Sequence, residues 1–550
     1  MKIDNTWRFT RHVISMSITI LIVSVATISV QSQERQFPNT RHGIHIFYDQ
    51  PPFNLTADQQ DFLANNYVGC QKIPLDLVND VREYNDDFMV LNYRLAFGTY
   101  DDIAAYLVGN DWINDWDTVN PHTDWFITDP GSPNPGGRII QQDWGWYLMD
   151  ISGEVNGNTT AGWKEYWSDT VIDQLRSTNC DGVFADSHCF PWNLDYTPSW
   201  LQPPDDVVWI HHMGVFGNHA FSTLHGEPEH FYYIPNVGPW ITTRDTTDYG
   251  AFVDGVMVEM FASPGPWDLY DIYDWKLQMN RLLDLERRGK VVICQPITED
   301  EWAGMERLYN LANYLLIKGE KTYYNLVFGE NFWGRLIYLP EYTLELGSYE
   351  GGIPLDIDDL WSPTLGVYER YYENGRVLLN PTWDTIEVPL DCEYYAIDVA
   401  DLINDPQIDI GEDGIFTDSL AFVPVSGSVT LEAKGGMILL ESLGFDCRDF
   451  QLGEAARFID AFPVPSKGST TISYSIPADY DNTRIGIYDI RGSLVQTLQA
   501  SGSNGISELL WDGTNEIGRP VSSGAYVCRL ESPDLPEQYA VCSRLLILSR

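Results

Sequence analysis

Short apolar runs that alternate with amphipathic, helix-like stretches are the feature that most constrains this chain. Strands that are apolar throughout are buried on both faces, which is typical of a parallel sheet covered by helices. Eight such units in about 290 residues predict a (β/α)8 barrel over residues 40–332. An open doubly wound sheet is disfavoured because no GxGxxG turn is present. The apolar runs lie at residues 43–48, 88–93, 146–151, 182–186, 231–236, 255–260, 290–296 and 322–328.

The sequence changes character after residue 332. Residues 333–445 contain short strand-like runs with Gly, Pro and Asp turns, and the Asn374-Gly375 pair between two apolar runs indicates a hairpin. This segment predicts an all-β sandwich. A linker over residues 446–459 leads to residues 460–550, where short strands and turn clusters alternate again, so a third domain with an Ig-like sandwich is expected.

The N-terminus predicts export. Lys2, Arg8 and Arg11 precede an apolar run over residues 13–30, and the polar sequence QSQERQ follows it. This is the pattern of a secretory signal peptide, which we place at residues 1–33. The run is longer than is usual for a signal peptide, so an uncleaved membrane anchor stays open as the alternative. We expect the protein at the cell surface or in the medium.

The charge of the chain limits its partners. The formal net charge is -46, and the acidic residues are spread along the sequence. Such a surface repels phosphate backbones, so we expect no nucleic acid partner. It favours neutral or cationic substrates.

Polar residues end the otherwise apolar strands. In a barrel, reacting groups project from the carboxyl ends of the strands, so these residues are the candidates for a site. A turn or a helix cap is the ordinary explanation for any one of them, but stability alone does not require that every strand end in this way. The candidates are Asp49, Asn92, Tyr93, Asp150, Asp186, His188, Asn236, Glu259, Gln295 and Asn325.

Two of these candidates are acids that follow the same local pattern. The sequence CDGVFAD ends on Asp186, and VDGVMVE ends on Glu259. A pair of carboxyl groups across a cleft is what glycosidic bond cleavage needs, one acid to protonate the leaving oxygen and one ionised group to attack carbon or activate water. The alternatives are a loop cap at Asp186 and a buried salt bridge at Glu259. The aromatic side chains of Trp144 and Trp146 offer stacking faces for a sugar.

Other chemistries lack a pattern in the sequence. The histidines at positions 211, 212, 219, 225 and 230 are spaced too irregularly to predict a metal site, and no CxxC pair is present. The GxSxG turn of an α/β-hydrolase is also absent. We therefore expect neither a metal nor another cofactor.

The segments CDGVFAD, VDGVMVE, WYLMDIS and YERYYENGRVLLNPT resemble a group of largely uncharacterised bacterial glycoside hydrolases. In this group a barrel is followed by a small β domain, and the resemblance covers about residues 40–445. It implies Asp186 as the nucleophile or base and Glu259 as the proton donor. Ala185 and the Ser187-His188 pair depart from the residues common in the group.

The C-terminal segments TTISYSIP, IGIYDIRGSLVQTL and LLWDGTNEIGRPVSSGAYVCRL are similar to Ig-like domains related to the flagellar hook-capping protein and to type IX secretion sorting domains. This resemblance covers about residues 460–550. It implies a domain that serves as an address or spacer and has the secretion machinery as its partner.

The hypothesis from the sequence is a secreted, monomeric glycoside hydrolase that acts on a poly- or oligosaccharide, and we expect it to retain anomeric configuration. A hydrolase or lyase acting on amino-sugar polymers is a variant of this hypothesis. The alternative from another class is a non-catalytic carbohydrate-binding or adhesive surface protein on the same scaffold. The separation of Asp186 from Glu259 distinguishes enzyme from binding protein.

Overall fold

A computed structural model describes residues 35–74, 76–101, 115–157, 162–201, 207–238, 247–266, 268–329, 334–403, 408–441, 457–462, 468–476, 484–489, 493–500, 503–531 and 542–548. The expected signal peptide lies outside these residues, as does most of the expected linker. None of the helices in the described part is both long and apolar enough to cross a membrane.

The first part of the chain alternates strands with helices. Its described strands are β1 (Phe47–Tyr48), β2 (Gly69–Cys70), β3 (Met89–Leu95), β4 (Gly98–Thr99), β5 (Tyr147–Leu148), β6 (Gly182–Asp186), β7 (Tyr232–Pro235), β8 (Gly255–Glu259), β9 (Val291–Gln295), β10 (Ile297–Thr298), β11 (Thr322–Tyr324) and β12 (Val327–Phe328). Its described helices are α1 (Ala57–Asn66), α2 (Leu77–Arg82), α3 (Trp116–Val119), α4 (Trp163–Thr178), α5 (Val207–Gly226), α6 (Ile272–Arg287) and α7 (Gly304–Ile317).

Eight of these strands run parallel in two sheets. The larger sheet has the order β1-β2-β3-β6-β7, and the smaller has the order β8-β9-β11. Single parallel bridges, Ile46 to Tyr324 and Asn236 to Met257, connect the edges of one sheet to those of the other.

One predicted strand of this sheet was wrong and one was missed. Residues 146–151 do not form a parallel strand, because β5 pairs antiparallel with β4 outside the two parallel sheets. The strand between β1 and β3 in the sheet is β2, which has only two residues and therefore no apolar run in the sequence. A Cβ on Gly69 would lie 2.1 Å from the carbonyl oxygen of Met89, so the glycine is what lets β2 and β3 approach.

The parallel strands are buried on both faces, as their continuous apolar runs predict. Alternate residues of a strand point to opposite faces. One set forms an interior cluster between the sheets, and the intervening residues, such as Val90 and Val183, pack with the helices. The interior cluster contains Phe37, Phe47, Met89, Leu91, Tyr93, Phe184, Ile234, Met257, Val291, Ile293 and Tyr323.

The two Asp-Gly pairs of the sequence have the same structural task. Asp181 precedes β6, and its carboxylate accepts a hydrogen bond from the backbone N–H of Val90 (2.7 Å). Asp254 precedes β8, and its carboxylate accepts one from the backbone N–H of Tyr233 (2.8 Å). Each aspartate thereby joins the start of its own strand to the start of the preceding parallel strand.

The glycines of these pairs allow close contact with a neighbouring strand. A Cβ on Gly182 would lie 2.4 Å from the carbonyl oxygen of Tyr232. A Cβ on Gly255 would lie 2.4 Å from the carbonyl oxygen of Val291. The repeated sequence thus sets the start of β6 and β8, and with it the position of the acid four residues later.

A second, antiparallel part follows. Its strands are β13 (Trp361–Ser362), β14 (Val367–Tyr372), β15 (Gly375–Asn380), β16 (Ile386–Pro389), β17 (Tyr394–Ile397), β18 (Phe422–Val425), β19 (Ser428–Leu431) and β20 (Gly435–Leu440), with the short helix α8 (Val399–Leu402). A six-stranded sheet of order β13-β14-β15-β20-β17-β18 contacts α7 through β15 and β20 on one face. The pair β16-β19 shares an apolar cluster with its other face.

The predicted hairpin is present, but its glycine has another function than expected. Strands β14 and β15 pair with Tyr372 opposite Gly375, so Glu373 and Asn374 form the turn. Gly375 stands in the strand, where a Cβ would lie 2.0 Å from the carbonyl oxygen of Leu439. Close approach of β20, not turn geometry, requires glycine there.

The C-terminal part has its own core. Its described strands are β21 (Arg457–Phe462), β22 (Thr470–Ile476), β23 (Arg484–Asp489), β24 (Leu494–Gln499), β25 (Ser503–Trp511), β26 (Gly524–Glu531) and β27 (Cys542–Leu548). They form antiparallel sheets of order β21-β22-β25 and β24-β23-β26-β27. A separate apolar cluster that includes Ile472, Ile487, Trp511 and Tyr526 lies within this part. The expected multidomain organisation is confirmed.

Candidate active site

Polar side chains extend the interior cluster at the carboxyl ends of the parallel strands. Most lie two residues beyond an interior apolar residue, as Asp186 does beyond Phe184 and Glu259 beyond Met257. Because side chains alternate between the two faces of a strand, these polar groups point to the same side as the interior cluster. They lie just beyond it, at one edge of the sheets. The set, which we call the rim, is Asp49, Lys72, Tyr93, Asp186, Asn236, Glu259, Gln295 and Asn325.

The two predicted acids lie side by side and share one hydrogen-bond donor. The side-chain amide of Asn236 donates to Oδ1 of Asp186 and to Oε2 of Glu259. The two bonds, 2.9 Å and 3.0 Å long, meet at one nitrogen, so these oxygens are at most about 6 Å apart. The carbonyl oxygen of the same amide accepts from the backbone N–H of Gly238 (2.9 Å), which fixes the direction of the NH2 group.

Asp186 has a second partner. The hydroxyl of Tyr93 donates to its Oδ2 at 2.7 Å. Burial, and then the negative charge of Asp186, raise the pKa of Tyr93 well above its usual range, so the phenol keeps its proton. Both oxygens of Asp186 therefore accept hydrogen bonds from neutral donors.

The pKa of Glu259 is shifted upward by its surroundings. Burial raises it, and the negative charge of Asp186 raises it further. The hydrogen bond from Asn236 and the charge of Lys72 act against this shift without cancelling it. The environment thus favours a protonated Glu259 beside Asp186, a division into acid and ionised partner.

Lys72 is the rim residue that the sequence did not reveal. Its ammonium lies 2.9 Å from Oδ1 of Asp49 and 5.6 Å from the centre of the Phe184 ring. Burial would lower its pKa, but the charges of Asp49, Asp186 and Glu259 outweigh this and raise it. The lysine follows β2, the strand without an apolar run, so only recognition of that strand would have led to it.

Asp49, Gln295 and Asn325 complete the rim. Asp49 also accepts a hydrogen bond from the side chain of Gln71 (2.7 Å). The amide of Asn325 donates to the side-chain oxygen of Gln295 (2.8 Å), and both residues are buried. These groups offer hydrogen-bond donors and acceptors around the two acids.

Four other candidates are buried outside the rim. Asn92 alternates with Tyr93 along β3, so it lies on the helix-facing side with Val90. Asp150 caps its own turn, where its carboxylate accepts from the backbone N–H groups of Gly153 (2.9 Å) and Asn156 (2.8 Å). His188 and Trp146 are buried among other side chains.

His188 is a neutral packing residue. Its ring lies 4.6 Å from that of Phe97 and 5.7 Å from that of Tyr249. Burial lowers its pKa to about 3, so the ring is uncharged at neutral pH. Trp146 is only 2% exposed and presents no face to a ligand, whereas Trp144 is 51% exposed.

The backbone after each acid has the same unusual conformation. Ser187 follows Asp186 with φ of 57°, and Met260 follows Glu259 with φ of 57°. A left-handed conformation costs free energy for residues other than glycine, and such residues concentrate at functional sites. Both strands therefore end in a sharp turn directly after the carboxylate.

One group of side chains has the composition of a metal site. Glu154, His211 and His212 have ligand atoms within 4.8 Å of one another, although the spacing of the histidines predicted no such set. His211 lies 2.8 Å from the Glu154 carboxylate. The group shares no residue with the rim.

Two family models match the chain. The model described as hypothetical glycosyl hydrolase family 15 matches residues 82–376, more than half of the sequence, and the model of the FlgD Ig-like domain matches residues 461–534. The resemblances to a glycoside hydrolase group and to flagellar hook-capping Ig-like domains are thus confirmed. No curated protein matches the sequence.

Solved structures show distant likenesses. A cycloisomaltooligosaccharide glucanotransferase from Paenibacillus sp. is 12% identical over 73% of this chain, with a TM-score of 0.33; the match spans 56% of that enzyme's length. Truncated FlgD from Helicobacter pylori is 23% identical over 17% of this chain and 70% of its own, with a TM-score of 0.14. PorZ, a type-IX secretion system component from Porphyromonas gingivalis, is 17% identical over 22% of this chain and 14% of its own, also with a TM-score of 0.14.

Proposed function

Since this chain belongs to the hypothetical glycosyl hydrolase family 15, we propose that it hydrolyses O-glycosidic bonds with Asp186 as nucleophile and Glu259 as acid and base. The observation that carries the proposal is the amide of Asn236, which holds both carboxyl groups at 2.9 Å and 3.0 Å from one nitrogen. Retaining glycosidases keep the two groups about 5–5.5 Å apart, whereas inverting enzymes need about 6.5–9.5 Å to admit a water. The short separation supports retention.

The scaffold supports this assignment. We interpret the two parallel sheets, bridged at both edges, as one closed eight-stranded barrel. In such barrels the reacting groups stand at the carboxyl ends of the strands, as the rim does here. Asp186 ends the fourth parallel strand and Glu259 the sixth.

The first step forms a bond between Asp186 and the sugar. An oxygen of the Asp186 carboxylate attacks the anomeric carbon while the bond to the leaving oxygen breaks. Glu259 gives its proton to that oxygen, which departs as an alcohol. The raised pKa of Glu259 keeps the proton available until this moment.

The second step returns both groups to their starting states. Once Asp186 is esterified it carries no charge, so the repulsion that raised the pKa of Glu259 is removed. The ionised Glu259 then takes a proton from water, whose oxygen attacks the anomeric carbon and releases Asp186. The same neighbour thus changes Glu259 from acid to base.

A panel of glycans tests the proposal. The wild-type chain should cleave at least one poly- or oligosaccharide, and Asp186→Asn and Glu259→Gln should each lower kcat/KM by orders of magnitude. Asp87→Asn, an exposed acid elsewhere on the first domain, serves as the matched control and should remain active. Near-wild-type turnover in both rim variants, or binding of a glycan without cleavage by the wild type, would favour the non-catalytic carbohydrate-binding alternative.

We also propose that the protein is exported, with residues 1–33 as the signal and the Ig-like domain as a contact for secretion machinery. The basic and then apolar N-terminal sequence and the match to the FlgD Ig-like domain support this. Protein recovered from the medium or cell surface should begin near residue 34 when its N-terminus is sequenced. Recovery only inside the cell would contradict the proposal.

A further inference from the structure

Two exposed indoles lie on loops at the same edge of the sheets as the two carboxylates. Trp144 is 51% exposed and precedes β5 in the long connection that follows β3. Trp192 is 46% exposed and lies in the loop from β6 to α5, which follows Asp186 directly. Large apolar side chains left in water at adjacent places commonly mark a binding surface.

The two loops are fixed to each other. Residues Gln141 and Leu194 form an antiparallel bridge, and the backbone N–H of Gln142 donates to the carbonyl oxygen of Asn193 (2.9 Å). The side chain of Asn193 donates to Asp143. The residues next to both tryptophans therefore belong to one hydrogen-bonded junction.

Local contacts and conformation also restrain the backbone at or next to each tryptophan. The backbone N–H of Trp144 donates to the side-chain oxygen of Gln141 (2.8 Å). Asn193, directly after Trp192, has a left-handed backbone with φ of 49°. A backbone restrained in this way has fewer conformations to lose when a ligand binds beside the two rings, which lowers the entropic cost of binding.

Trp192 lies close enough to the acids for one chain of several sugars to reach both. It stands six positions after Asp186, so their Cα atoms are at most about 22 Å apart. The neighbours of the indoles, Asp143, Asn193 and Asp195, are polar and supply hydrogen-bonding groups beside the apolar faces. A flat ring bordered by such groups suits the C–H face and hydroxyls of a sugar.

We propose that Trp144 and Trp192 form a binding platform for an uncharged polysaccharide that extends beyond the sugar at Asp186 and Glu259. This inference rests on the proposed glycosidase function and narrows its substrate from a poly- or oligosaccharide to an uncharged polymer. The strong negative charge of the chain disfavours a polyanionic polymer. Trp144 was a candidate from the sequence, whereas the structure adds Trp192.

Affinity electrophoresis of the full-length chain tests the platform without turnover. In an Asp186→Asn background, the parent and the variants Trp144→Ala and Trp192→Ala are run through gels containing dextran, soluble starch, mixed-linkage β-glucan, xylan or galactomannan. At least one polymer should retard the parent, and each tryptophan variant should bind it about tenfold more weakly. Trp383→Ala is the matched control, because this indole is 64% exposed on the antiparallel domain.

The outcomes separate the two proposals. In the active chain, Trp144→Ala and Trp192→Ala should each lower kcat/KM on the polymer by a larger factor than kcat/KM on a nitrophenyl monoglycoside. The platform is wrong if no polymer retards the parent, or if Trp383→Ala weakens binding as much. If polymers bind as expected but the wild type cleaves nothing, the platform stands and the catalytic proposal fails.

Discussion

At the residue scale, one amide organises the chemistry. Asn236 bonds to both acids, and its own carbonyl oxygen is held by the backbone of Gly238. A shared neutral donor brings the two carboxyl groups together without adding a positive charge, so the negative charge of Asp186 still raises the pKa of the buried Glu259. The sequence predicted Asn236 only as one of the polar site candidates at the strand ends, because its contact with both acids depends on the order of neighbouring strands.

The pH dependence of catalysis should follow from Glu259. The first step needs a protonated Glu259, and its raised pKa keeps that form present to higher pH. We therefore expect kcat/KM to fall as the pH rises through that pKa. The profile of the wild type should thus have an alkaline limb. Glu259→Gln, measured on a substrate with an activated leaving group, should lack the alkaline limb; a limb that persists would assign it to another group.

Lys72 offers a test of electrostatics with a defined sign. Its positive charge lowers the pKa of Glu259. Replacing it in Lys72→Met removes that charge, so the pKa of Glu259 should rise and the alkaline limb should move to higher pH. The same substitution leaves Asp49 without its ion-pair partner at 2.9 Å and should lower kcat/KM. A loss of activity without the upward shift would indicate a purely structural effect.

At the element scale, the repeated Asp-Gly pairs position the acids. The aspartate accepts a hydrogen bond from the backbone of the preceding parallel strand, and the glycine allows a neighbouring strand to approach closely. Each strand therefore starts at a fixed position in the sheet, and the acid at its end lies at the rim.

The sequence revealed this repeat and both acids. It did not reveal Lys72, because a strand as short as Gly69–Cys70 has no hydrophobic pattern. It also misplaced Asp150, because the apolar run 146–151 is equally compatible with a small antiparallel pair.

Gly255→Ala tests the role of the glycine. A Cβ at this position would lie 2.4 Å from the carbonyl oxygen and from the Cβ of Val291, so β8 and β9 must separate. We expect a loss of about 1–3 kcal/mol in the free energy of unfolding, measured by urea denaturation. Gly352→Ala is the control, because a Cβ there meets no atom within 4 Å. Equal midpoints for the two variants would contradict the role assigned to Gly255.

Glu259 should also respond to such a shift of β8. Because the acid ends this strand, Gly255→Ala should lower kcat as well as stability, whereas Gly352→Ala should change neither. Unchanged kcat in a demonstrably destabilised Gly255→Ala protein would show that the rim tolerates movement of the strand.

At the scale of the whole molecule, the antiparallel domain stabilises the first domain by packing against its helix α7. Helix α7 is buried along nearly its whole length, and a Cβ on Gly436 of β20 would lie 2.5 Å from the carbonyl oxygen of Leu308. Arg307 of the same helix forms a buried ion pair with Glu341 (2.7 Å). The sequence predicted two adjacent domains here, but the extent of this shared core depends on packing that no local pattern encodes.

Truncated chains should therefore differ in solubility according to whether they keep the antiparallel domain. A chain that ends at residue 445 keeps α7 covered, so it should remain soluble and retain wild-type kcat/KM on a small glycoside. A chain that ends at residue 332 exposes the apolar face of α7 and should aggregate, as measured by size-exclusion chromatography. A soluble, active chain of 332 residues would contradict the shared core, and loss of activity on removal of residues 446–550 would give the Ig-like domain a role in catalysis.

The central claim is that Asp186 attacks the sugar directly while Glu259 supplies and then removes the proton. Proton NMR of the first products released from a cleaved polysaccharide tests it most directly, because the anomeric signal reports the configuration before mutarotation. The spacing set by Asn236 predicts that the new reducing end has the same anomeric configuration as the bond that was cut. A product of opposite configuration would contradict the account, because it requires water, and not Asp186, to attack first.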